Sequence, residues 1–213
     1  MCQSFGTHFL FGEYHFFYKG EIHMGVMKRV CVFCGSSMGA STIYKEQATQ
    51  LGKLLATKNI ELVYGGGNVG IMGELSRTVL EHGGRVTGVI PKVIYENVHH
   101  VELTDLIVVE NMHERKAKMY ELADGFIALP GGIGTLEELA EVMTWYQIGY
   151  HAKPIGIFNV NQFFNGLHTF FDHMVNEGFL KKVYIEHIIT EMDPHSLLDA
   201  MEKQEMKLIN KWS

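Results

Sequence analysis

The chain has 213 residues, 46% of them hydrophobic and 20% charged, a balance that excludes a disordered polypeptide and suits one α/β domain able to bury its own core. Its net charge of −6, from 18 basic and 24 acidic residues, lacks the basic excess of a nucleic-acid binder, although a local nest of N–H groups can still hold a small anion. Three cysteines are too few, and odd in number, for a disulfide scaffold, and fit a reducing cytoplasm.

Residues 1–26 carry Phe5, Phe9, Phe11, Tyr14, Phe16, Phe17 and Tyr18, with His8, Glu13, His15 and Lys19 among them. These polar residues break any signal core, and no run approaches membrane-spanning length. The segment reads as an extension from an upstream start codon, ahead of a domain over 27–213. An ordered aromatic arm on a partner subunit is the alternative. From Lys28 short apolar runs alternate with helical patterns. The predicted strands are 29–34, 60–64, 86–90, 106–109, 125–129 and 155–158. The predicted helices are 42–58, 70–82, 112–123, 135–148, 161–177 and 195–206. Val- and Ile-rich strands separated by helices imply a mainly parallel, doubly wound, Rossmann-like sheet covered on both faces. Ligands of such sheets lie beyond the carboxyl ends of the strands.

Cys31 and Cys34 form a C-x-x-C inside the first predicted strand. Residues three apart in a strand point to opposite faces, so the pair is poorly placed to share a metal and reads as buried thiols. Three glycine-bearing loops follow strands: Gly35–Ser37, Gly65–Gly73 and Gly131–Thr135. Gly65, Gly67 and Gly70 match the G-x-G-x-x-G dinucleotide fingerprint. Against a dinucleotide, the motif follows the second strand, and no acidic residue closes a further strand roughly 20 residues on. The third loop runs from the strand 125–129 through Pro130 into a helix. Its free N–H groups and the helix dipole favour an anion there, with Glu137, Glu138 and Glu141 within two turns.

Glu138 has two readings. Thr135 to Glu138 spells an S/T-x-x-E capping box, in which the glutamate closes the helix start. Glu138 and Glu141 also share a helix face near Val142 and Trp145, which suits chemistry beside the anion site. Arg115 lies on a stripe with Met112, Met119 and Leu122, where a guanidinium needs a partner. Glu110 or Glu114 would be a structural partner; a carboxylate or ligand at the active edge is the other. Lys116 and Lys118 read as solvated helix positions, and His99-His100 as a surface loop without further metal ligands at suitable spacing.

With these residues in hand, the chain resembles the Lonely Guy family of cytokinin riboside 5′-monophosphate phosphoribohydrolases, long mislabelled lysine decarboxylases. The resemblance covers residues 28 to 190. It rests on Phe33 to Ser37, Gly65 to Gly73, Met112 to Lys116 and Pro130 to Glu138. It implies hydrolysis of the N-glycosidic bond of a nucleoside 5′-monophosphate to a free base and ribose 5-phosphate, with no metal or organic cofactor, in a homodimer. It implies catalytic roles for Arg115 and Glu138. Gly131, Gly132, Gly134 and Thr135 would hold the phosphate, Met112 would line the base pocket, and Lys116 would lie near the phosphate or ribose. Gly35, Ser36, Gly66, Gly67, Met72 and Glu141 complete the implied substrate-binding set. Arg115 would either neutralise the departing base or hold Glu138 ionised.

Two departures bear on base selectivity. Ile133 stands where the family usually has Tyr, and the family's further substrate-contacting glutamate falls in an ambiguous segment, with Glu96 as candidate. A general AMP nucleosidase and a non-catalytic nucleotide or molybdopterin carrier are the alternative functions. A lysine decarboxylase is disfavoured, since the sequence shows no constellation for a Schiff-base lysine with an acidic pyridinium partner.

Overall fold

The computed structural model describes residues 27–96 and 102–205; the expected extension 1–26 and the His99-His100 pair lie outside them. Among the described residues, seven strands form one sheet: β1 (Arg29–Phe33), β2 (Glu61–Tyr64), β3 (Val86–Pro91), β4 (Asp105–Val109), β5 (Gly125–Ala128), β6 (Ile155–Phe158) and β7 (Ile188–Glu191). Their order is β4-β3-β2-β1-β5-β6-β7, and every pairing is parallel. The chain lays β2, β3 and β4 outward on one side of β1, then returns to add β5, β6 and β7 on the other. The order therefore reverses between β1 and β5, which opens a crevice at their carboxyl ends. The predicted Rossmann-like class holds.

The helices are α1 (Thr42–Thr57), α2 (Gly70–Glu81), α3 (Lys92–Tyr95), α4 (Met112–Leu122), α5 (Ile133–Gln147), α6 (Asn165–Asn176), α7 (Lys182–Glu186) and α8 (Pro194–Lys203). Strand alternation divides the core into two layers. Val30 and Val32 of β1 join Leu51, Leu55, Leu75, Val79, Leu197 and Leu198 of α1, α2 and α8. Cys31 and Phe33 join Met119, Tyr120, Leu139, Val142 and Tyr146 of α4 and α5. Each fully buried Leu or Val contributes about 1.5–3 kcal/mol of transfer free energy. Cys31 and Cys34 fall in opposite layers, both buried and unbridged, and burial pushes both thiols above their ordinary pKa.

Three elements lie beyond the sequence reading: β7, α3 and α7. Each has only four or five residues, and β7 is a half-buried edge strand, too short for periodicity to register. The predicted helix 161–177 is broken at its start. A 3-10 turn over Val160–Gln162 holds Asn161 at φ 51° and Gln162 at φ 59°, and α6 begins only at Asn165. At α8, Asp193 accepts from the Ser196 N–H and Pro194 takes the first position, a regular helix start.

Candidate active site

The first loop interlocks with both of the others before any side chain is considered. Gly35 N–H donates to Pro130 O at 3.2 Å, Ile71 N–H to Ser37 O at 3.4 Å, and Met72 N–H to Gly35 O at 3.3 Å. The first turn of α2 thus donates to carbonyls of the β1 loop. Gly70, at φ 59°, makes this possible, because a Cβ there would overlap Ser36. This agrees with the reading against a dinucleotide. The N–H groups that a dinucleotide's pyrophosphate would need at α2 are already used inside the protein.

The start of α5 differs. Its N-cap is Gly132, with no side-chain cap, and Leu136 N–H to Gly132 O is an early backbone bond of the helix. The N–H groups of Ile133, Gly134 and Thr135 therefore precede the helical ladder. Gly132, Ile133 and Gly134 are exposed, while Thr135 is buried. Free N–H groups and a helix dipole at an exposed N-terminus favour negative charge there. This helix start also overturns the capping box, since Thr135 lies inside the helix and Glu138 is more than a turn from its start. A related Asn-x-x-Glu cap stands at α4 instead. There Asn111 accepts from the N–H groups of His113 and Glu114, and Glu114 accepts from the N–H of Glu110, the residue before the N-cap, a variant of the reciprocal motif.

With Glu114 engaged at that cap, Arg115 finds its partner across the crevice. Its Nη1 lies 3.3 Å from Glu138 Oε1, and the two side chains are only 12% and 11% exposed. Its Nε donates to Val89 O of β3 at 3.2 Å. Gly65 makes room for the guanidinium, since a Cβ there would overlap Arg115 Nη2. The local partners Glu110 and Glu114 are thus replaced by a carboxylate 23 positions away in the chain. Burial raises the Glu138 pKa above the ordinary carboxylate value, while the Arg115 charge pulls it back down. Among the described residues, Glu138 Oε2 makes no ion pair or hydrogen bond.

Lys116 departs most from the sequence reading. It is buried rather than solvated, with Nζ 2.6 Å from Glu137 Oε1 and 3.1 Å from Glu141 Oε1. Tyr120 OH donates to Glu141 Oε2 at 2.7 Å. The Glu137 hydrogen bond chiefly raises the Lys116 pKa, so the ammonium stays charged. Lys116 and Glu141, both expected at the substrate, join α4 to α5. Tyr120 was missed, although its i+4 spacing from Lys116 puts both on one helical face. Lys118 is half-buried and pairs with Glu121.

The remaining expected residues divide by position. Gly35 is buried beneath the crevice and Ser36 is exposed at its rim. Gly66 is buried at φ 74°, and Met72 packs its thioether against Gly67. Met112, 45% exposed, opens α4 one turn before Arg115. Glu96 is exposed at the end of α3, and among the described residues nothing ties its side chain to the Arg115–Glu138 pair.

Fold and site together define a Rossmann-like α/β protein with an exposed, uncapped helix N-terminus beside a buried guanidinium–carboxylate pair. A family model described as "Possible lysine decarboxylase" matches residues 72–201. Cytokinin riboside 5′-monophosphate phosphoribohydrolase LOG7 of Arabidopsis thaliana is 48% identical over 180 residues, 84% of this chain and 82% of the relative. The LOG2 protein of that plant, with the same description, is 46% identical over 177 residues, 83% of each chain. The chain belongs to this family, the Lonely Guy family expected from the motifs. Among solved structures, the molybdenum cofactor binding protein of Rippkaea orientalis superposes with a TM-score of 0.62 at 23% identity, covering 82% of this chain and 94% of that one. The Moco carrier protein of Chlamydomonas reinhardtii gives 0.63 at 20% identity, over 82% and 95%. At such identities the likeness is one of fold.

Proposed function

We propose that the protein hydrolyses the N-glycosidic bond of a nucleoside 5′-monophosphate carrying adenine or an N6-substituted adenine, releasing the base and ribose 5-phosphate. The observation that carries this reading is the buried Arg115–Glu138 pair beside the open α5 N-terminus. The names of the family relatives support it.

In this reading the 5′-phosphate sits on the N–H groups of the α5 start, at Gly132, Ile133, Gly134 and Thr135. Binding there holds the sugar over Glu138, so binding energy from the non-reacting phosphate positions the reacting carbon. As the C1′–N bond breaks, its electron pair leaves with the base and positive charge grows on the sugar ring. An ionised Glu138 stabilises that charge and takes a proton from the attacking water. The water's hydroxyl ends on C1′, and the proton held by Glu138 balances the one the departing base acquires. Arg115 is anchored to Val89 O and paired with Glu138. This geometry favours holding the buried carboxylate ionised over neutralising the base. Met112 lines the base end, and Ser36, Gly66, Gly67 and Met72 form the crevice wall. The protein acts as a homodimer, with exposed Met112, Ile133 and Leu136 beside the site as contact surface.

The test is chromatographic detection of base after incubation with AMP and, separately, with N6-isopentenyl-AMP. Base release from one or both is expected, and the ratio of kcat/KM values names the preferred base. No release from either, by folded protein that still binds AMP, overturns the reading in favour of a nucleotide carrier. Light scattering behind size exclusion reads the dimer.

A further inference from the structure

A cleft of about 190 Å³ lies away from the crevice, against the second half of α5. Ile155 and Ile188, the first residues of β6 and β7, help line it, which puts it at the amino edge of the sheet. Met143 of α5, Met174 of α6 and Leu180 supply apolar walls, and the lining is uncharged among the described residues. An apolar cavity of about 150 Å³ accepts one aromatic ring, so this cleft has room for an occupant of that class. Tyr184, 4% exposed, also lines it, and its hydroxyl has no hydrogen-bond partner among the described residues. A buried hydroxyl left unpaired is costly. The site therefore suits an aromatic ring that carries a polar hydrogen.

The C-terminal end of α8 comes close to this cleft. α8 packs in the opposite core layer and stops at Lys203, and Gln204 follows in extended conformation, at φ −68° and ψ 119°. Gln204 Nε2 donates to His187 O at 2.8 Å, which brings the chain to the residue directly before Ile188. The His187 ring lies 5.6 Å from that of Tyr146, which meets Tyr184 edge to face at 6.4 Å and 87°. Gln204 Oε1 is a second buried oxygen without a partner among the described residues. The sequence continues Met206-Lys207-Leu208-Ile209-Asn210-Lys211-Trp212-Ser213. Eight residues separate Trp212 from Gln204 and span up to roughly 26 Å, so reach does not limit the segment. Trp212 is its one aromatic residue. An indole N–H only donates, which complements both orphaned oxygens.

We propose that residues 206–213 cross the amino edge of the sheet and seat the Trp212 indole in this cleft of the same chain, joining α8 to α5 and α7. Trp145 is the other tryptophan, so Trp145→Phe leaves Trp212 as the only indole. In that full-length variant the emission should be blue-shifted, with most iodide quenching lost relative to N-acetyltryptophanamide, and neither should change on dilution. Ile185→Glu puts a charge in the cleft lining, and Thr144→Arg lays a long side chain over its exposed rim. Each, added to Trp145→Phe, should shift the emission to the red and restore quenching. Thr144→Arg serves where circular dichroism shows Ile185→Glu to be unfolded. Red, fully quenched emission in the Trp145→Phe protein overturns the proposal. So does blue emission that a folded cleft variant leaves unchanged, because the indole then sits elsewhere. Blue emission lost on dilution, with a falling mass by light scattering, would place the indole in a second copy and equally overturns it.

Discussion

Arg115 Nη1 and Glu138 Oε1 stand 3.3 Å apart, on helices that leave two different strands, and each side chain is nearly nine-tenths buried. Neither helix could hold its charged residue there alone. Breaking a buried pair leaves an uncompensated charge, which costs about 3–5 kcal/mol, so each residue sets the state of the other.

Glu138→Gln keeps the shape and removes the charge. Turnover of the best nucleotide should fall by about 100-fold or more, on the scale of a lost electrostatic stabiliser, while the circular dichroism spectrum is unchanged. Near-normal turnover would remove Glu138 from the mechanism.

Arg115→Ala should lower turnover by a similar factor and also change its pH dependence. Burial already raises the Glu138 pKa, and Arg115 is the largest influence lowering it. Without that cation the carboxyl rises further and must be deprotonated from a higher value. The acidic limb of the kcat profile should therefore move to higher pH. A lower profile of unmoved shape would assign Arg115 to the departing base instead.

Gly65→Ala tests position without touching either charge. The new Cβ would overlap Arg115 Nη2, so the guanidinium must leave Val89 O. Misplacement of about 1 Å costs on the order of 100-fold in rate. Single-turnover kinetics with AMP should show the loss, with less effect on AMP affinity. Unaltered kinetics would mean that the observed Arg115 position is not required.

His151 provides a stability prediction away from the site. Its Nε2 lies 2.9 Å from Val142 O, and its Nδ1 accepts from Lys153 N–H at 3.1 Å, so the neutral ring is satisfied on both sides. Burial depresses its pKa from 6.5 to about 4. A depressed folded pKa means that the stabilisation is complete above pH 6.5 and is lost as pH falls toward 4. The amount at stake is about 3 kcal/mol. Urea unfolding across that window should show the decline, and His151→Gln should flatten it. An equal slope in the variant would place the acid sensitivity elsewhere.

Lys116→Met should weaken the join between α4 and α5. It removes the ammonium shared by Glu137 and Glu141 and leaves Glu141 with Tyr120 alone. Stability should drop by about 1–3 kcal/mol, the penalty for unpairing partly buried polar groups, as a shift in the urea midpoint. A loss of nucleotide affinity with stability intact would return Lys116 to the substrate.

By itself the sequence determined the parallel sheet and the place of the crevice, because Val- and Ile-rich strands, helical periodicity and glycine loops are local signals that survive without a partner. It also marked Arg115 as misplaced on an apolar stripe, and Pro130 to Glu138 as a glycine-rich turn that leaves N–H groups free at a helix start. Only the tertiary structure decided which carboxylate Arg115 meets, since Glu110, Glu114 and Glu138 are chemically alike and differ in where the fold puts them. The same applies to Lys116, which is polar in any local reading and becomes a buried clamp only when α5 brings Glu137 and Glu141 against it. The availability of N–H groups at α5, and their use at α2, likewise follows from which loop lies across each helix end. Local pattern specifies the elements; the pairing of charges and donors depends on distances that exist only after the sheet has brought remote segments together.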